Sequence, residues 1–316
     1  MANNKKDIFI EINKSIDNMV EGHEKQLTKE YLTALKDIKS TLADAYEKFG
    51  TDGILTREEM VKFGRLTKVE RHIVEQIQQL TKTQIRFTKD SIRDVFSESY
   101  YRYGYMIENL SEFRIYKMLK PEIIDQMLFN ELDAIKWDER VEANNEVLVR
   151  QLREELTTGL IQGVGYAVLA KMISDRMTIG LNKARKITRT ECRRVQEEAN
   201  LRTMQEAHSK GIVTKKQWVS TLDRRTRDTH KHLDGQVVNI DEHFVSNSGN
   251  KALAPHQFGV AREDINCRCT MIVVIEEDGK KLGQKSRRAR NNGDNEKGEI
   301  IKFATYNDWK KDLGER

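Results

Sequence analysis

The stretch 262-REDINCRCTMIVVI-275 contains two of the three cysteines of the chain, Cys267 and Cys269, at the start of an apolar run. The segment CRCTMIVVI is the most strand-like part of the sequence, because β-branched and apolar residues fill it. Side chains two residues apart in a strand project to the same side, so we expect both thiols on one face and Arg268 on the other. Packing, a metal site and a disulfide are the alternatives for this pair, and the disulfide is disfavoured by that spacing.

The residues before this strand indicate a small α+β module. KQWVSTL (216–222) and QVVNI (236–240) have the composition of strands, and between them DRRTRDTHKHLDG predicts a short helix that ends at the Asp-Gly pair. A loop of about twenty residues, 241–261, then leads to the cysteines. We therefore predict that residues 211–275 form one α+β module.

The first two thirds of the chain have the pattern of long helices. Between residues 27 and 49, apolar side chains recur in steps of three and four, as on one face of a helix. FGTDGILT interrupts this pattern, and Thr56 with Glu59 has the spacing of a capping box that starts the next helix, which we expect to run towards residue 115. Further helices are expected from Pro121, over 139–178 with a bend at TTGLIQGVGY, and over 181–208.

These patterns predict an α+β protein with an extended, mostly α-helical N-terminal body, a small α+β module and a flexible C-terminal arm. The predicted parts are a helical partner-binding body (1–150), linking helices with a basic face (151–210), the α+β module (211–275) and a flexible basic tail (276–316). The tail is poor in apolar residues until a short docking segment, IIKFATYNDW, near its end.

The composition favours a soluble protein with much exposed helix surface. Of 316 residues, 38% are hydrophobic and 33% are charged, and the formal net charge is +5, which does not by itself indicate nucleic-acid binding. The N-terminus has no apolar stretch long enough for a signal peptide, and the longest apolar stretch contains Lys171 and is too short for a membrane span. With three cysteines, we expect a reducing cytoplasm rather than secretion.

Histidine and cysteine side chains concentrate in the predicted module. In the predicted helix, Asp223, Arg227 and His230 would share one face. His230 and the two thiols could then converge on a metal ion, with Asp223 or His256 as the fourth ligand, and this mixture of sulfur and imidazole suits zinc. In the alternative, the thiols pack under the sheet and the helical side chains form a hydrogen-bonded network, since the spacing matches no standard zinc motif.

No catalytic motif of an established kind is present: the chain lacks His-Glu-x-x-His, Gly-x-Ser-x-Gly and a glycine-rich phosphate loop. We therefore expect a protein without catalytic residues. The alternative is a metal-dependent nucleic-acid hydrolase that uses the Asp/His/Cys-x-Cys cluster, because a bound metal can activate water.

The predicted helix over 181–208 carries a cluster of positive charge in its first half. Such a face could hold the phosphates of DNA, and it is equally typical of a solvated or internally paired face on a highly charged chain. The cations are Lys183, Arg185, Lys186, Arg189, Arg193 and Arg194.

Five short motifs, in order, resemble the head morphogenesis family of tailed bacteriophages, the Mu F-like minor head proteins. ARKITRTECRR (184–194), KQWVSTLDRRTRDTHKHLDGQVV (216–238) and INCRCTMIVVI (265–275) carry the resemblance, which covers about residues 150–275. The matching residues are Arg189, Thr190, Glu191, Trp218, Asp223, Thr226, Arg227, His230, Leu233, Asp234, Gly235, Cys267, Arg268 and Cys269. Of these, Asp223, Thr226, Arg227, His230, Asp234, Gly235 and Arg268 are expected to form the structural cluster of the module. The ending TYNDWKKDLG is also similar to the Tyr-x-x-Trp tail of family members, whereas the proline-rich run common before the cysteines is reduced to Pro255.

The resemblance implies a minor head component of the virion that lies near the portal vertex and is assembled in the host cytoplasm. Its expected partners are the portal protein, the major capsid or scaffolding protein, and packaged double-stranded DNA. The implied stages of action are head assembly, DNA packaging and early DNA ejection. A carrier for a fused toxin domain is a further alternative that the family offers, and the tail composition after residue 276 disfavours it.

Overall fold

A computed structural model describes residues 3–111, 114–212, 214–221, 225–277, 280–281 and 311. Over these residues the chain forms long helices in its first two thirds and small antiparallel sheets, most of them in the last third. The predicted α+β class is therefore confirmed. The predicted flexible tail and its docking segment lie almost wholly outside the described residues.

The helices are α1 (Asn3–Phe49), α2 (Arg57–Val61), α3 (Arg65–Ser111), α4 (Pro121–Gln126), α5 (Trp137–Gln162), α6 (Tyr166–Ser209), α7 (Asp228–Lys231) and α8 (Ala261–Asp264). The strands are β1 (Glu131–Leu132), β2 (Ile135–Lys136), β3 (Thr214–Val219), β4 (Val237–Asn239), β5 (Phe244–Val245), β6 (Lys251–Ala252), β7 (Thr270–Glu277) and β8 (Lys280–Lys281). Within the described part of the chain, none of the helices is both long enough and apolar enough to cross a membrane.

Thr56 starts the second helical segment, as predicted. Its hydroxyl accepts a hydrogen bond from the Glu59 N–H at 3.3 Å, which satisfies one of the unpaired donors of the first turn. The segment is nevertheless not one helix, because Phe63 has φ 55 and a short 3-10 turn separates α2 from α3. A residue in the left-handed region cannot continue a right-handed helix, so the prediction of a continuous helix towards residue 115 is wrong.

Glycines have opposite roles in the turn between α5 and α6 and inside α6. Gly163 ends α5 with φ 61, which confirms the turn predicted for TTGLIQGVGY. Gly180 lies inside α6, where a Cβ atom would come within 2.8 Å of Leu148 Cδ2 on α5. The glycine therefore allows close packing and does not break the helix, so α6 is continuous where two separate helices were predicted.

β3 is an inner strand of a four-stranded antiparallel sheet with the order β4-β3-β7-β8. Trp218 pairs with Met271, and the β3–β7 ladder ends where Val219 pairs with Thr270. The Ser220 N–H donates to a side chain, Asp234 Oδ1, instead of continuing the ladder. β7 consequently begins at Thr270, and the prediction that the cysteines lie within this strand is wrong.

The predicted loop over 241–261 contains a second hairpin. β5 and β6 pair in an antiparallel manner, with Phe244 opposite Ala252, and both side chains are buried. A single turn of helix, α8, follows and leads directly to the cysteine segment. The two acidic residues of α8, Glu263 and Asp264, are also buried.

The chain divides into two compact units whose segments alternate along the sequence. Unit 1 comprises Met1–Val20, Ser91–Ala134 and Arg189–Arg316, and unit 2 comprises Glu21–Asp90 and Ile135–Thr188. Helices α1, α3 and α6 contribute residues to both units. The units therefore follow different boundaries from the four parts inferred from the sequence, and that functional division stays a prediction.

Unit 2 has a core of aliphatic side chains from α1, α3, α5 and α6. Leu42, Ile73, Leu152 and Ile173, one from each helix, are 0% exposed. The apolar stripe predicted between residues 27 and 49 supplies the α1 side of this core. Burial of such side chains is worth ~1.5–3 kcal/mol each, so this core is the main source of stability for unit 2.

In unit 1, α6 holds the start of β7 through polar contacts. The Glu197 carboxylate accepts hydrogen bonds from the Thr270 hydroxyl at 2.6 Å and the Met271 N–H at 3.1 Å. The Asn200 side-chain amide donates to the Met271 carbonyl at 2.8 Å. These contacts fix the residues that directly follow the cysteines.

Candidate metal centre

The Leu-Asp-Gly motif forms the turn between α7 and β4. Leu233 is buried, the Asp234 carboxylate accepts the Ser220 N–H at 2.7 Å, and Gly235 has φ 78. The Gly235 N–H also donates to the Trp218 carbonyl at 2.9 Å. A left-handed residue is needed at this turn, which explains the glycine. The motif thereby fixes the end of β3 relative to α7.

The helix predicted over DRRTRDTHKHLDG is a single turn. Arg227 is the N-cap of α7 and has extended backbone angles, φ −61 and ψ 146. The prediction that it shares a helical face with His230 is therefore wrong, and Asp223 lies outside the described residues. Sequence reasoning overestimated this helix because the polar residues before it hydrogen-bond to backbone groups instead.

Thr226 and Arg227 hold the loop before α7 through such bonds. The Thr226 hydroxyl donates to the Thr221 carbonyl, and the Arg227 guanidinium donates to the Ile265 carbonyl. The Thr221 hydroxyl in turn donates to the Arg268 carbonyl at 3.0 Å, while the Arg268 side chain is exposed. The motif residues thus tie the loop to the cysteine segment.

The structure brings His230 and the two cysteines together. His230 Nδ1 lies 3.5 Å from Cys267 Sγ and 3.4 Å from Cys269 Sγ, and the Cys269 N–H points at Cys267 Sγ at 3.4 Å. The three potential ligand atoms all lie within 4.8 Å of one another. The side chains come from α7 and from the irregular segment before β7, so neighbouring elements, not strand geometry, bring them together.

Glu263 is a member of this cluster that the sequence did not reveal. Its carboxylate lies 3.0 Å from His230 Nε2, on the ring edge away from the thiols. It also accepts hydrogen bonds from the Thr229 and Ser248 hydroxyls and the Asn250 amide, at 3.0, 3.0 and 3.1 Å. The available signal was the acidic pair in REDINCRC, which directly precedes the cysteines.

The two thiols do not ionise equally. The hydrogen bond from Cys267 lowers the pKa of Cys269, with further contributions from His230 and Ser220 that outweigh burial. Sharing a proton with Cys269, together with burial, raises the pKa of Cys267 well above its ordinary value. The pair therefore favours one thiolate and one thiol, and the thiolate lies next to the imidazole.

His256 lies beside the cysteine segment. It is 2% exposed and has φ 65, and its imidazole lies close to backbone groups of Cys269 and Asp264. Burial lowers the pKa of His256 to about 3, an effect that backbone groups of Cys269 and Asp264 partly oppose, so its imidazole is neutral. Its nitrogens do not belong to the group of atoms within 4.8 Å.

Glu191, the last residue of the Arg-Thr-Glu motif on α6, forms an internal ion pair with Arg194. Glu191 is 0% exposed and accepts from Arg194 Nε at 3.0 Å and from the Asn130 amide at 3.1 Å. Arg194 also donates to the Met127 carbonyl at 2.6 Å. This pair holds the segment after α4 against α6, and truncating either partner would leave an uncompensated buried charge.

The six cations assigned to a basic face do not form one exposed surface. Arg194 is buried in the ion pair with Glu191, and Arg193 pairs with Asp17 on α1. Lys186 and Arg189 are exposed, whereas Lys183 and Arg185 are half-buried. DNA contact by this helix stays a prediction. Fewer cations are available to support it, because Arg193 and Arg194 are engaged in ion pairs.

The burial of the His-Cys-Cys cluster bears on the hydrolase alternative. His230, Cys267 and Cys269 are 1%, 5% and 4% exposed. A nucleic-acid phosphate would need open access to an ion at this position, and a catalytic metal site keeps an open coordination position. The geometry therefore suits a closed structural site, and it adds no support to hydrolysis.

Comparisons with known proteins agree with the motif order. The family described as Phage Mu protein F like protein matches residues 150–272, which include Trp218, His230 and both cysteines. Minor head protein GP7 of Bacillus phage SPP1 is 30% identical over 302 residues, which is 95% of this chain and 96% of that protein.

Two other relatives match this chain over a smaller share of their own length, and one of them also at lower identity. NAD(+)–arginine ADP-ribosyltransferase EFV of Enterococcus faecalis is 30% identical over 286 residues, or 90% of this chain, but the match covers only 56% of that protein. Uncharacterized protein YqbB of Bacillus subtilis is 24% identical over 210 residues, or 64% of this chain and 67% of that protein. No solved structure matches the chain.

The alignment with GP7 covers nearly all of both proteins, whereas the Mu F-like region alone covers only the part that contains the cluster. This full-length match, at 30% identity, extends the relationship to the helical segments before residue 150. The chain therefore belongs to the family of phage minor head proteins that share the Mu F-like region.

Proposed function

We propose that this chain acts at the portal vertex of the phage head, where it binds the portal protein. The alignment over 96% of minor head protein GP7 is the observation that carries the proposal. In this role the chain takes part in head morphogenesis, DNA packaging or DNA ejection, and it is a structural component without catalysis of its own. The major capsid or scaffolding protein and packaged DNA are its further partners, and assembly takes place in the host cytoplasm.

An exposed apolar surface on unit 2 supports protein binding by the helical body. Val61 and Ile161 line a shallow groove between α2 and the end of α5, and they are 54% and 66% exposed. Ile54, whose backbone bridges to Gly165 beside this groove, is 44% exposed. Exposed apolar side chains that share one groove are typical of interaction sites.

We call this surface the α2 groove. Phe63 directly follows Lys62, one of the residues that line it. The side chain is 83% exposed although phenylalanine is usually buried, and its backbone has φ 55. Such a conformation is costly for a residue with a Cβ atom and is found mainly where function requires it. We infer that the α2 groove, together with the exposed Phe63 that follows it in the chain, contacts the portal protein.

The test is copurification of tagged full-length chain with the portal protein of the same phage. The wild-type chain should associate, and the double variant Phe63→Ser, Ile161→Ser should bind at least about tenfold more weakly, because buried aromatic and aliphatic anchors supply most binding energy at interfaces. Phe129→Ser is the matched control, since Phe129 is 80% exposed and belongs to unit 1, outside the α2 groove.

Two results would contradict parts of this proposal. Unchanged binding by the double variant would remove the α2 groove from the interface. Absence of any association, together with purified virions that lack the chain, would exclude the portal-vertex function itself.

A further inference from the structure

Three side chains of unit 1 form a buried group of potential ligands for a soft metal ion. Cys267 Sγ, Cys269 Sγ and His230 Nδ1 lie within 4.8 Å of one another, and all three residues are almost completely buried. Two sulfurs and one imidazole are ligands that zinc prefers, and a buried site without solvent access is typical of structural zinc.

We propose that His230, Cys267 and Cys269 bind a structural zinc ion. The neighbouring His256 is the candidate fourth ligand, and its imidazole would have to approach the ion, since its nitrogens lie outside the group of atoms within 4.8 Å. His256 is 2% exposed, and it lies beside the backbone of Cys269. With His256, four protein ligands would close the coordination sphere, as in structural zinc sites.

Glu263 has the position of a residue that orients a metal-binding histidine. Its carboxylate accepts from His230 Nε2 at 3.0 Å, which places the ring proton on Nε2 and leaves the Nδ1 lone pair facing the two sulfurs. Three further donors, from Thr229, Ser248 and Asn250, hold the carboxylate in place. Glu263 is therefore a positioning residue and not a ligand.

The alternative is a cluster without a metal ion, held together by hydrogen bonds. A thiol–imidazole hydrogen bond at 3.4 Å and an N–H to sulfur contact at 3.4 Å satisfy part of the cluster. That arrangement requires no metal for stability. Metal content and metal-dependent stability therefore separate the two arrangements.

The first experiment measures metal in full-length protein purified without added metal. Elemental analysis should find roughly one zinc per chain, because structural zinc copurifies with its protein. Removal of zinc by a strong chelator under reducing conditions should lower the Tm of the wild-type chain, and added zinc should restore it. Less than about a tenth of an equivalent of zinc, with a Tm that neither chelator nor zinc changes, would overturn the proposal.

Variants identify the ligands, with the third cysteine of the chain as the matched control. Cys267→Ser, Cys269→Ser and His230→Ala should lose the zinc, while Cys192→Ser should keep it, since Cys192 is an equally buried thiol on α6 outside the cluster. Zinc retained by all three cluster variants would show adventitious binding elsewhere and refute the site. Chelated wild-type chain refilled with Co²⁺ needs no variant to fold, and it should show the intense absorption of tetrahedral cobalt–thiolate coordination.

The roles of the other two residues have separate measurements. His256→Ala should bind Co²⁺ more weakly and with an altered spectrum, and an unchanged affinity would remove it as the fourth ligand. Glu263→Gln should weaken Co²⁺ binding by about 10–100-fold while preserving the tetrahedral spectrum, as expected for an orienting group. A Glu263→Gln variant of lower Tm but unchanged Co²⁺ affinity would reduce this residue to a structural role.

Discussion

Glu197 is a buried carboxyl group at the junction of α6 and β7. Burial raises the pKa of Glu197 to about 7, although hydrogen bonds from Thr270 and Met271 act in the opposite direction. The folded chain therefore holds a proton on this group between pH ~4.5 and ~7, where the unfolded chain has released it. Its contribution to stability is present at low pH and is lost as the pH rises through this window.

Glu197→Gln tests this dependence. The neutral amide can accept the Met271 N–H with its oxygen and donate to the Thr270 hydroxyl with its nitrogen, and it does not ionise. The variant should therefore gain stability relative to wild type at pH 8 but not at pH 4.5. The difference between the two pH values should be up to about 3 kcal/mol, since each unit of pKa shift is worth ~1.4 kcal/mol. Urea unfolding of both proteins at both pH values measures it, and an equal difference in stability at pH 4.5 and 8 would argue against the raised pKa.

At the scale of single residues, the sequence indicated part of the His-Cys-Cys cluster. Cys267, Cys269 and His230 were identified because rare residue types were concentrated in one module, which is visible without any knowledge of the fold. Glu263 was missed because carboxylates are common, and its importance depends on a contact with a residue 33 positions away. Composition can point to scarce side chains, but it cannot select one acidic residue among 50.

Two glycines in helical segments lead to opposite expectations. Gly163 ends α5 with φ 61, so Gly163→Ala should destabilise the chain by ~1 kcal/mol, because alanine is strained in the left-handed region. Gly22 is exposed within α1, and a Cβ atom added there would meet no other atom within 4 Å. Gly22→Ala should therefore stabilise the chain by ~0.5–1 kcal/mol, since alanine favours the helix.

Chemical denaturation followed by circular dichroism compares the two variants. The same chemical change is made in both, and both sites lie in unit 2, so the difference in sign isolates the backbone conformation. Stabilisation by Gly163→Ala would show that this residue is not held in the left-handed conformation.

Helix existence was easier to predict than helix continuity. The stripe in α1, the cap at Thr56 and the start of α4 at Pro121 follow from local chemistry, and each is present in the structure. The interruption at Phe63 could not be predicted, because no turn-forming signal forces a phenylalanine into the left-handed region. The continuity of α6 through Gly180 depends on Leu148 of another helix, which local patterns do not include.

The core of unit 2 permits a test of packing across several helices. Leu152 is 0% exposed within a cluster drawn from α1, α3, α5 and α6. Leu152→Ala should destabilise the chain by ~2–5 kcal/mol, since it removes buried methyl groups and leaves a cavity. Leu32→Ala is the matched control, because Leu32 is 57% exposed on α1 and its loss should change stability by less than ~0.5 kcal/mol.

Guanidinium unfolding monitored by circular dichroism gives both values. Similar losses for Leu152→Ala and Leu32→Ala would mean that Leu152 does not lie in a tightly packed core.

Over the whole chain, the sequence indicated the class and the family but not the compact units. The α+β class follows from a change in periodicity after residue 210, and the family follows from ordered motifs. The two compact units could not be predicted from the sequence patterns, because each is assembled from segments that are separated in sequence. Helix patterns indicate which residues face a core, but they do not specify which other helices those residues contact.

The three cysteines of the chain are all buried, at 0%, 5% and 4% exposure for Cys192, Cys267 and Cys269. The folded protein should therefore react slowly with maleimides, so one cysteine introduced at an exposed position such as Leu32 would be the preferred site of labelling. A fluorophore or gold particle attached there would report the location and copy number of the chain in assembled heads. The natural distribution of thiols thus makes the protein suitable for site-specific imaging with a single substitution.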